Sequence, residues 1–572
     1  MSSNIRPVSA VAGATRYSVP RPSAPVDLRL DGNEGIAPPA ELLQALAEIG
    51  PEVLRCYPDA KPLEMALAER YGVTADRVIV TAGADEALDR IARSVLGPGR
   101  ELILPVPTFE MIERYARLAG ADVVHVPWGD DPFPVEQILA ARTERTAAVA
   151  VVTPNNPTGA SVSREQLMRL AEAMPDVLLI VDAAYGEFAE DDITGLALTL
   201  ENAVVTRTFS KAWGLAGLRV GYALGPAEII GWLRVAGGPY SVARPALAVA
   251  HRRLETGEAD MQQFLETVRD QAKRLTARLE GWGVKVASSE ANFILVQLEN
   301  AAWVHQALGG LGIAVRAFPG RAGLDDRLRI TLPGTEEGFQ RLESALRTIF
   351  EPQAILFDVD GILADVSRSY RMAIEKTGEG FGVTISPEDV AAAKREGNAN
   401  DDWELTHRLL ADKGKDVPFP DVVERFEAFY QGTPEQPGLK ESESLIPDRA
   451  WLEALSRRVP LAVVTGRPSG DLNDFFERTG VRDCFRVTVC REETRLGKPD
   501  PEPVALALER LGVERAWMIG DMPDDVRSAR GASVLPLAVV PPGDDAAHGD
   551  ALLRAGAATI LNRVEDVEGL WP

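Results

Sequence analysis

Between Leu42 and Gly221, short apolar runs rich in β-branched residues alternate with helical patterns, and this alternation constrains the fold more than any other feature of the chain. The runs read VIVTAG, ELILPVP, ADVVHVP, AAVAVVTP, VLLIVDAAY and AVVTRTFS. Runs this short and this continuous are buried on both faces, which predicts parallel strands in an α/β sheet covered by helices. From Glu228 to Phe350 the pattern loosens into a long helix over 260–282, short strands FILVQL and LRITL, and a closing helix. At AILFDVDG the strand pattern starts afresh. A mostly helical region over about 367–455 follows, and the alternation returns with PLAVVTG, a helix over 501–511, WMIGD and VLPLAVV. The join at 350–353 holds one proline and little Gly or Ser, so it is no long flexible tether. No repeat of solenoid length is present, and the domain boundary is placed at 350/351.

A chain of 572 residues is expected to hold several domains. Its 61 Lys and Arg against 85 Asp and Glu leave a charge of −24. That balance disfavours a nucleic-acid partner, which would demand cations against phosphates. Cys56, Cys484 and Cys490 are too few and too far apart for a disulfide framework, and no CxxC metal spacing occurs, which fits a reducing compartment. Apolar stretches such as 147–152 and 535–540 fall short of the roughly 20 residues a membrane helix needs. The first residues, MSSNIRPVSAVAGATRYSVPRPS, lack the apolar core of a secretory signal. The chain is expected to be cytoplasmic, without nucleic-acid or membrane partners.

The first set of chemical residues centres on TRTFSKAWGLAGLRVGY. A strand ends at Ser210-Lys211, and Arg219 follows a glycine-rich stretch in which Gly214, Gly217 and Gly221 allow backbone to approach a ligand. A Ser-Lys pair alone is usually solvated surface. Here VTPNNPTG adds Asn156 on a loop after a buried strand, and VDAAY adds Asp182 and Tyr185 at the end of the next. VTAG followed by Ala84 and Asp85 gives a strand, a glycine and a helix start, where free N–H groups attract anions.

Over about Tyr17 to Phe350 this set resembles the fold-type I pyridoxal phosphate (PLP) aminotransferases, and within them the histidinol-phosphate aminotransferases. The resemblance implies a PLP-dependent transferase fold with a large part over about 31–235 and a small part of 1–30 with 236–350. It makes Lys211 the lysine that bonds the cofactor and Asp182 the acid that keeps the pyridine nitrogen protonated. Asn156 and Tyr185 match the partners of the ring's phenolic oxygen. Ser210, Arg219 and the amides of Ala84 and Asp85 match the phosphate cradle, and Phe109 matches the aromatic stacked on the ring. Tyr57 matches a tyrosine that reaches the cofactor phosphate of a neighbouring subunit, which implies a homodimer. Tyr17, Asn33 and Asn292 match residues around the substrate, while Arg316 and Arg329 match two arginines gripping anionic groups. The implied substrates are a phosphorylated keto compound and an amino donor such as glutamate. The chain departs from the usual NENPFGP by reading NEGIAPP, and it carries Arg244 where a small or amide side chain is commoner.

The second set opens with ILFDVDGILAD, where Asp358 and Asp360 lie two apart at a strand end and share a face. Two such carboxylates repel, and a divalent cation relieves the repulsion. Thr465 ends AVVTG, GKPDPEP supplies Lys498, and WMIGDMPDD supplies Asp521 and Asp525. All lie at strand ends, where open α/β sheets place ligand sites. This order is similar to the four motifs of haloacid-dehalogenase superfamily phosphatases and covers about Gln353 to Pro572. It implies a Rossmann-like domain over 351–572 with a helical cap over about 367–455, closer to the phosphoglycolate-phosphatase group than to compact histidinol phosphatases.

By the same resemblance Asp358 is the nucleophile, Asp360 the general acid/base, and Thr465 and Lys498 hold phosphoryl oxygens. Asp358, Asp360, Asp521 and Asp525 form the Mg²⁺ site. Asn398, Asn400, Trp403 and Glu404 in EGNANDDWEL could face that site, although a solvated helix surface is the plainer reading. Ile362 replaces the threonine usual after the DG pair, and none of the five histidines falls in either set. The leading expectation is a bifunctional aminotransferase and phosphatase acting in consecutive steps of histidine biosynthesis. Alternatives are the same activities on another phosphorylated amino compound, a phosphothreonine-type PLP decarboxylase fused to a phosphatase, or a degenerate C-terminal scaffold.

Overall fold

The computed structural model of the chain describes residues 5–14, 16, 20, 22–48, 50–541 and 546–571. Tyr17 lies outside the described residues. The chain forms two compact units, one of Met1–Pro20, Leu30–Ala301 and Val315–Phe339, the other of Arg21–Arg29, Ala302–Ala314 and Gln340–Pro572.

The first unit is built on a seven-stranded sheet in the order Val78–Thr81, Gly221–Leu224, Ala203–Thr208, Leu178–Asp182, Thr146–Val152, Glu101–Val106, Asp122–Pro127. The inner strands Leu178–Asp182 and Ala203–Thr208 are wholly buried, and Thr146–Val152 is buried but for Ala147, because helices cover both faces. The six runs seen in the sequence all point one way. Gly221–Leu224 runs against both its neighbours and pairs Gly221 with Thr208 and with Thr81. Nothing in its short GYAL run announced a strand, since it follows the glycine-rich stretch after only four apolar-permissive residues. A second sheet of this unit pairs Phe293–Gln297 with Arg327–Thr331, and Arg327–Thr331 with the end of Ile313–Ala317. The long helix predicted over 260–282 is Glu258–Gly281.

The second unit carries a parallel sheet in the order Val487–Val489, Leu461–Val464, Ala354–Phe357, Ala516–Gly520, Leu535–Val539, Ile560–Leu561. The chain winds outward from Ala354–Phe357 in one direction and then returns to its other side. That reversal opens a crevice at the strand carboxyl ends. The helices Tyr370–Gly380, Pro387–Glu396, Asp402–Asp412 and Phe419–Gln431 form the expected cap. Its two connections to the sheet pair with each other as an antiparallel ribbon, Ala364–Asp365 against Ser444–Leu445.

This second unit also takes in segments ahead of residue 350. Trp303 meets Trp517 edge to face with centroids 5.8 Å apart, and Trp517 Nε1 donates to the Thr348 carbonyl at 2.7 Å. Arg530 donates to the carbonyls of Gly310 at 2.6 Å and Pro25 at 2.7 Å. Buried aromatic area and charge-assisted bonds of this kind fix a surface rather than tether it.

Candidate active sites

In the first unit, Lys211 leaves the end of strand Ala203–Thr208 and its ammonium donates to the Gly32 carbonyl at 3.0 Å. The ammonium lies 5.6 Å over the Tyr185 ring. Tyr185 in turn accepts from Asn33 Nδ2 at 2.9 Å, and Asn33 Oδ1 accepts from Thr331 Oγ1 at 2.8 Å. Arg329 donates to Asn156 Oδ1 and to the Asp31 carbonyl, both at 2.6 Å. Lys211, Tyr185, Asn33, Asn156 and Arg329 therefore form one connected wall. Asn292 closes it from behind by donating to the Asn33 carbonyl at 3.2 Å.

Asp182 ends its strand 3 % exposed and, among the described residues, accepts from the Ala184 amide and Thr206 Oγ1, each at 3.2 Å. Burial pushes its carboxyl up to about 6. A buried acid with so few donors is poised for a cationic partner. Ser210 accepts from Thr208 at 2.9 Å and from Arg219 at 3.4 Å, while Arg219 also pairs with Asp85 at 3.1 Å. Arg219 and Asn33 both hold φ near +53°, a conformation non-glycine residues keep only under outside constraint.

The phosphate end of the site is glycine-shaped. A Cβ at Gly221 would lie 2.4 Å from the Gly83 carbonyl carbon and 2.5 Å from the Ala84 amide. The free amides of helix Gly83–Val95 are thereby drawn against Gly221 and Arg219. Gly35, the departure in NEGIAPP, meets the Lys211 carbonyl so closely that a Cβ would lie 2.1 Å from it. Arg244 opens helix Arg244–Thr256 and acts on Glu52. Phe109 precedes helix Glu110–Leu118, packs half-buried on the sheet's apolar cluster and lines a cavity of about 530 Å³. Tyr57 is not drawn into this wall: it is 79 % exposed and stacks on Tyr240 at 4.7 Å.

Arg316 and Arg329 occupy opposite positions on paired strands, and both are buried. Arg316 Nη1 has no hydrogen-bond partner among the described residues, and Nη2 lies 3.6 Å from Glu110. Two buried guanidiniums in register call for an anion between them. The residues that sequence reading missed here are Thr331, which orients Asn33, and Asn155, which accepts from Thr108 Oγ1 at 2.6 Å and fixes the loop carrying Asn156. The NNP pair was the available signal for the second. PLP fits this set: Asn292 Oδ1 is buried without a partner, the glycine cradle accepts phosphate, and Asp182 suits a ring nitrogen.

In the second unit, Asp358, Thr465 and Asp521 stand at the carboxyl ends of adjacent strands, all buried. Lys498 donates to Asp358 at 2.7 Å, to Asp525, and to the Val464 carbonyl at 3.2 Å. The carboxylates of Asp358, Asp521 and Asp525 converge within 4.8 Å. Burial and the charge of Asp525 push Asp358 and Asp521 well up, while Lys498 is held protonated by Asp358 and Asp525. Asp521 Oδ1 is buried without a hydrogen-bond partner among the described residues, so the residues present fit a divalent cation. Asp360 stands apart from that cluster, its carboxylate held by Arg467. Gly361 is required, because a Cβ would lie 2.4 Å from Asp521 Oδ2; Ile362 is fully buried and packs in the core.

One reading from the sequence needs correction. Asn398, Asn400 and Glu404 are not merely solvated helix surface. With Asp401, Thr465, Arg491, Arg495 and Lys498 they line a cavity of about 310 Å³, because the helix carrying Glu404 starts where the cap meets the sheet end. Trp403 lines the adjoining crevice beside Asp360 and donates to Glu427 at 3.0 Å. The buried His548 ring lies 2.6 Å from the Asp521 backbone carbonyl.

Comparison with known proteins finds a family for each of two stretches of the chain. Residues 29–346 match the model of aminotransferase class I and II, and residues 352–533 match that of haloacid dehalogenase-like hydrolase. A histidinol-phosphate aminotransferase of Erythrobacter litoralis is 39% identical over 342 residues, covering 57% of this chain and 90% of its own length. Among solved structures, histidinol-phosphate aminotransferase of Sinorhizobium meliloti in complex with pyridoxal-5'-phosphate shares the fold at TM-score 0.54 and 24% identity, over 61% of this chain and 99% of its own. An L-threonine-O-3-phosphate decarboxylase of Porphyromonas gingivalis aligns at TM-score 0.50 and 25% identity, over 56% of this chain and 99% of its own.

Proposed function

The chain belongs to the class I and II aminotransferases and carries a haloacid dehalogenase-like hydrolase domain, and we propose that the two perform consecutive steps on one phosphate ester. It is a transferase and a hydrolase, an aminotransferase and a phosphatase, on one polypeptide. In the first step glutamate and imidazole acetol phosphate give 2-oxoglutarate and histidinol phosphate. In the second, water and histidinol phosphate give histidinol and inorganic phosphate. The observation that carries this reading is the Arg316–Arg329 pair, two buried cations in register beside the Lys211 wall, in a chain whose curated relative is named for histidinol phosphate. We assign transamination to residues 1–350 and ester hydrolysis to 351–572, with the cap over about 367–455.

In the first site Lys211 would hold the cofactor and move protons, and Asp182 would keep its ring nitrogen protonated. Asn156 and Tyr185 would bond its phenolic oxygen, and Ser210, Arg219 and the amides of Ala84 and Asp85 would hold its phosphate. PLP, when bound, supplies the electron sink for the amino-group carbon. Tyr185 is itself oriented by Asn33, so the ring's partner is preset before the cofactor arrives. Arg316, Arg329, Asn33 and Asn292 bind and orient the substrates.

In the second site Asp358 attacks phosphorus while Lys498 neutralises the phosphoryl oxygens and Thr465 donates a hydrogen bond to them. Asp360 gives a proton to the departing alcohol and later takes one from the water that hydrolyses the aspartyl phosphate. Asp358, Asp521 and Asp525 would hold Mg²⁺, which would offset the charge of these three buried carboxylates. The cap residues Asn398, Asn400 and Glu404 face the leaving group.

The first unit is proposed to dimerise, which would deliver Tyr57 to a neighbouring site. Supporting this, Leu54, Tyr57, Val235 and Tyr240 are exposed apolar side chains between half and nine-tenths accessible. A cytoplasmic setting is supported by three unpaired cysteines and by the absence of a membrane-length apolar helix among the described residues.

The test supplies the purified full chain with glutamate, imidazole acetol phosphate and Mg²⁺. Histidinol, 2-oxoglutarate and phosphate should appear together. Histidinol phosphate turned over no better than unrelated esters, or carbon dioxide released from phosphothreonine instead, would replace this substrate assignment.

A further inference from the structure

Glu443 lies where the cap returns to the sheet domain, one residue before the ribbon strand Ser444–Leu445. Its buried carboxylate accepts from Ser369 Oγ at 2.9 Å and Tyr430 at 3.2 Å, which flank the first cap helix and end the last. It also accepts from Arg467 Nη1 at 3.0 Å and Nη2 at 3.2 Å, and from Arg478 Nη2 at 3.0 Å. One carboxylate thus ties both ends of the cap to two guanidiniums.

Arg467 lies two residues beyond Thr465, and its amide donates to Thr465 Oγ1 at 3.1 Å. Its side chain is 2 % exposed, against the rings of Tyr370 at 5.0 Å and Phe475 at 5.5 Å. The guanidinium edge not used by Glu443 holds Asp360, with Nε at 2.8 Å and Nη2 beside it. A planar fork can bridge two carboxylates in this way, and a point charge cannot.

We propose that Arg467 is a positioning residue for Asp360 and that Glu443 is the anchor that lets it serve. The inference rests on the roles given above to Asp358 and Asp360. Asp360 must exchange its partner when it handles the leaving group and the water. An Arg467 with no other anion would become a buried unpaired cation at that moment, and it would cling to Asp360. Glu443 keeps the guanidinium paired throughout, so Asp360 can let go and return to the same place. Because Glu443 is bonded to Ser369 and Tyr430, this anchor is complete only when the cap is seated. Phosphate transfer to Asp358 from an ester whose leaving group needs no proton does not involve the device. Hydrolysis of the aspartyl phosphate does.

The experiment uses the full chain with Mg²⁺ and p-nitrophenyl phosphate, whose phenolate departs unprotonated, in rapid-quench and steady-state modes. Arg467→Lys and Glu443→Gln should keep the first-turnover release of nitrophenolate within about threefold of wild type. Their steady-state rate should fall at least tenfold, with phosphoprotein accumulating. Glu443→Asp, which retains the charge and is the safeguard if the others fail to fold, should recover part of the turnover. First-turnover and steady-state rates that fall by the same factor in folded variants, or that both stay unchanged, would overturn the proposal. If instead the wild type forms no Mg²⁺-dependent phosphoprotein, or Asp358→Asn forms as much, the assignment of the nucleophile has failed and this inference with it for a separate, visible reason.

Discussion

Arg316 stands directly opposite Arg329 across two antiparallel strands, with both side chains buried and Arg316 Nη1 unpartnered among the described residues. Like charges facing each other across a sheet destabilise the substrate-free protein, and a bound anion reverses the sign. A charge-assisted hydrogen bond contributes about 1.5–3 kcal/mol. Arg316→Leu should therefore lower kcat/KM for the anionic substrate at least tenfold, mostly through KM, while costing the substrate-free fold little. Arg329→Leu should do more, since it also releases Asn156 and the Asp31 carbonyl. Steady-state kinetics with both substrates varied would decide, and an Arg316 variant with unchanged KM for every substrate would remove it from the site.

The two chemistries should separate cleanly. Lys211→Ala should lose the visible absorbance of the lysine-bound cofactor and all transamination, with phosphate release kept within twofold. Asp358→Asn should do the reverse, because an amide cannot accept the phosphoryl group. Paired assays on both variants check this; a phosphate release that survives Asp358→Asn rules out the phosphoaspartyl route.

Asp182 predicts a pH dependence of stability without cofactor. Burial raises its folded pKa to about 6 from 3.8. The folded chain therefore holds this proton where the unfolded chain has released it, and stability falls as pH rises from about 4 to about 6. The loss attributable to this one group is up to about 3 kcal/mol, complete above that window. Denaturation of the cofactor-free wild type beside Asp182→Asn should show the wild type losing ground across those pH values and a constant gap above them. A gap independent of pH would mean that the carboxyl is not buried as described.

At Gly221 the constraint is one of space. A methyl group there would overlap the Gly83 and Ala84 backbone, which cannot swing aside as a side chain could. Gly221→Ala should displace the start of helix Gly83–Val95 from the phosphate, weaken PLP binding at least tenfold and destabilise the unit by roughly 1–3 kcal/mol. Cofactor titration by absorbance checks the first, and a variant binding PLP as wild type does would show that the phosphate lies elsewhere.

Much of both sites was legible because each strand delivers its chemistry at its own end: Asp182, Asp358, Thr465 and Asp521 close or follow apolar runs, and Ser210 lies two residues past its strand. What local pattern cannot show is the partner. Arg467 and Asp360 are 107 residues apart, Asn33 and Thr331 are 298 apart, and nothing at either end marks the pairing. Glu443 reads as one more acid in KESESL, and its buried role exists only once the cap connections pair. The cap asparagines were read as surface for the same reason: a helix start becomes a cavity wall only when the sheet end lies against it. The strand Gly221–Leu224 was missed because its run is too short to stand out, and its neighbours on both sides hold it in place.

The last prediction concerns metal removal. Asp358, Asp521 and Asp525 bring three buried carboxylates together, with the Lys498 ammonium on Asp358 and Asp525, and Asp521 Oδ1 has no hydrogen-bond donor among the described residues. Without a divalent ion, burial and mutual repulsion disfavour the ionised carboxylates and push Asp358 and Asp521 well up, so the metal-free cluster opposes folding. Saturating Mg²⁺ should therefore raise the unfolding midpoint of the second unit, by the equivalent of about 2.7 kcal/mol at a hundredfold excess over Kd. A chelator should reverse the gain. Asp521→Asn removes one of the three charges and should make the metal-free protein at least as stable as wild type, while abolishing the Mg²⁺ increment and phosphate release. Differential scanning calorimetry with and without Mg²⁺ on both proteins distinguishes the cases. A variant that loses stability in the absence of metal and still gains from Mg²⁺ would show that Asp521 is a structural acid, and that the cation binds through the remaining pair.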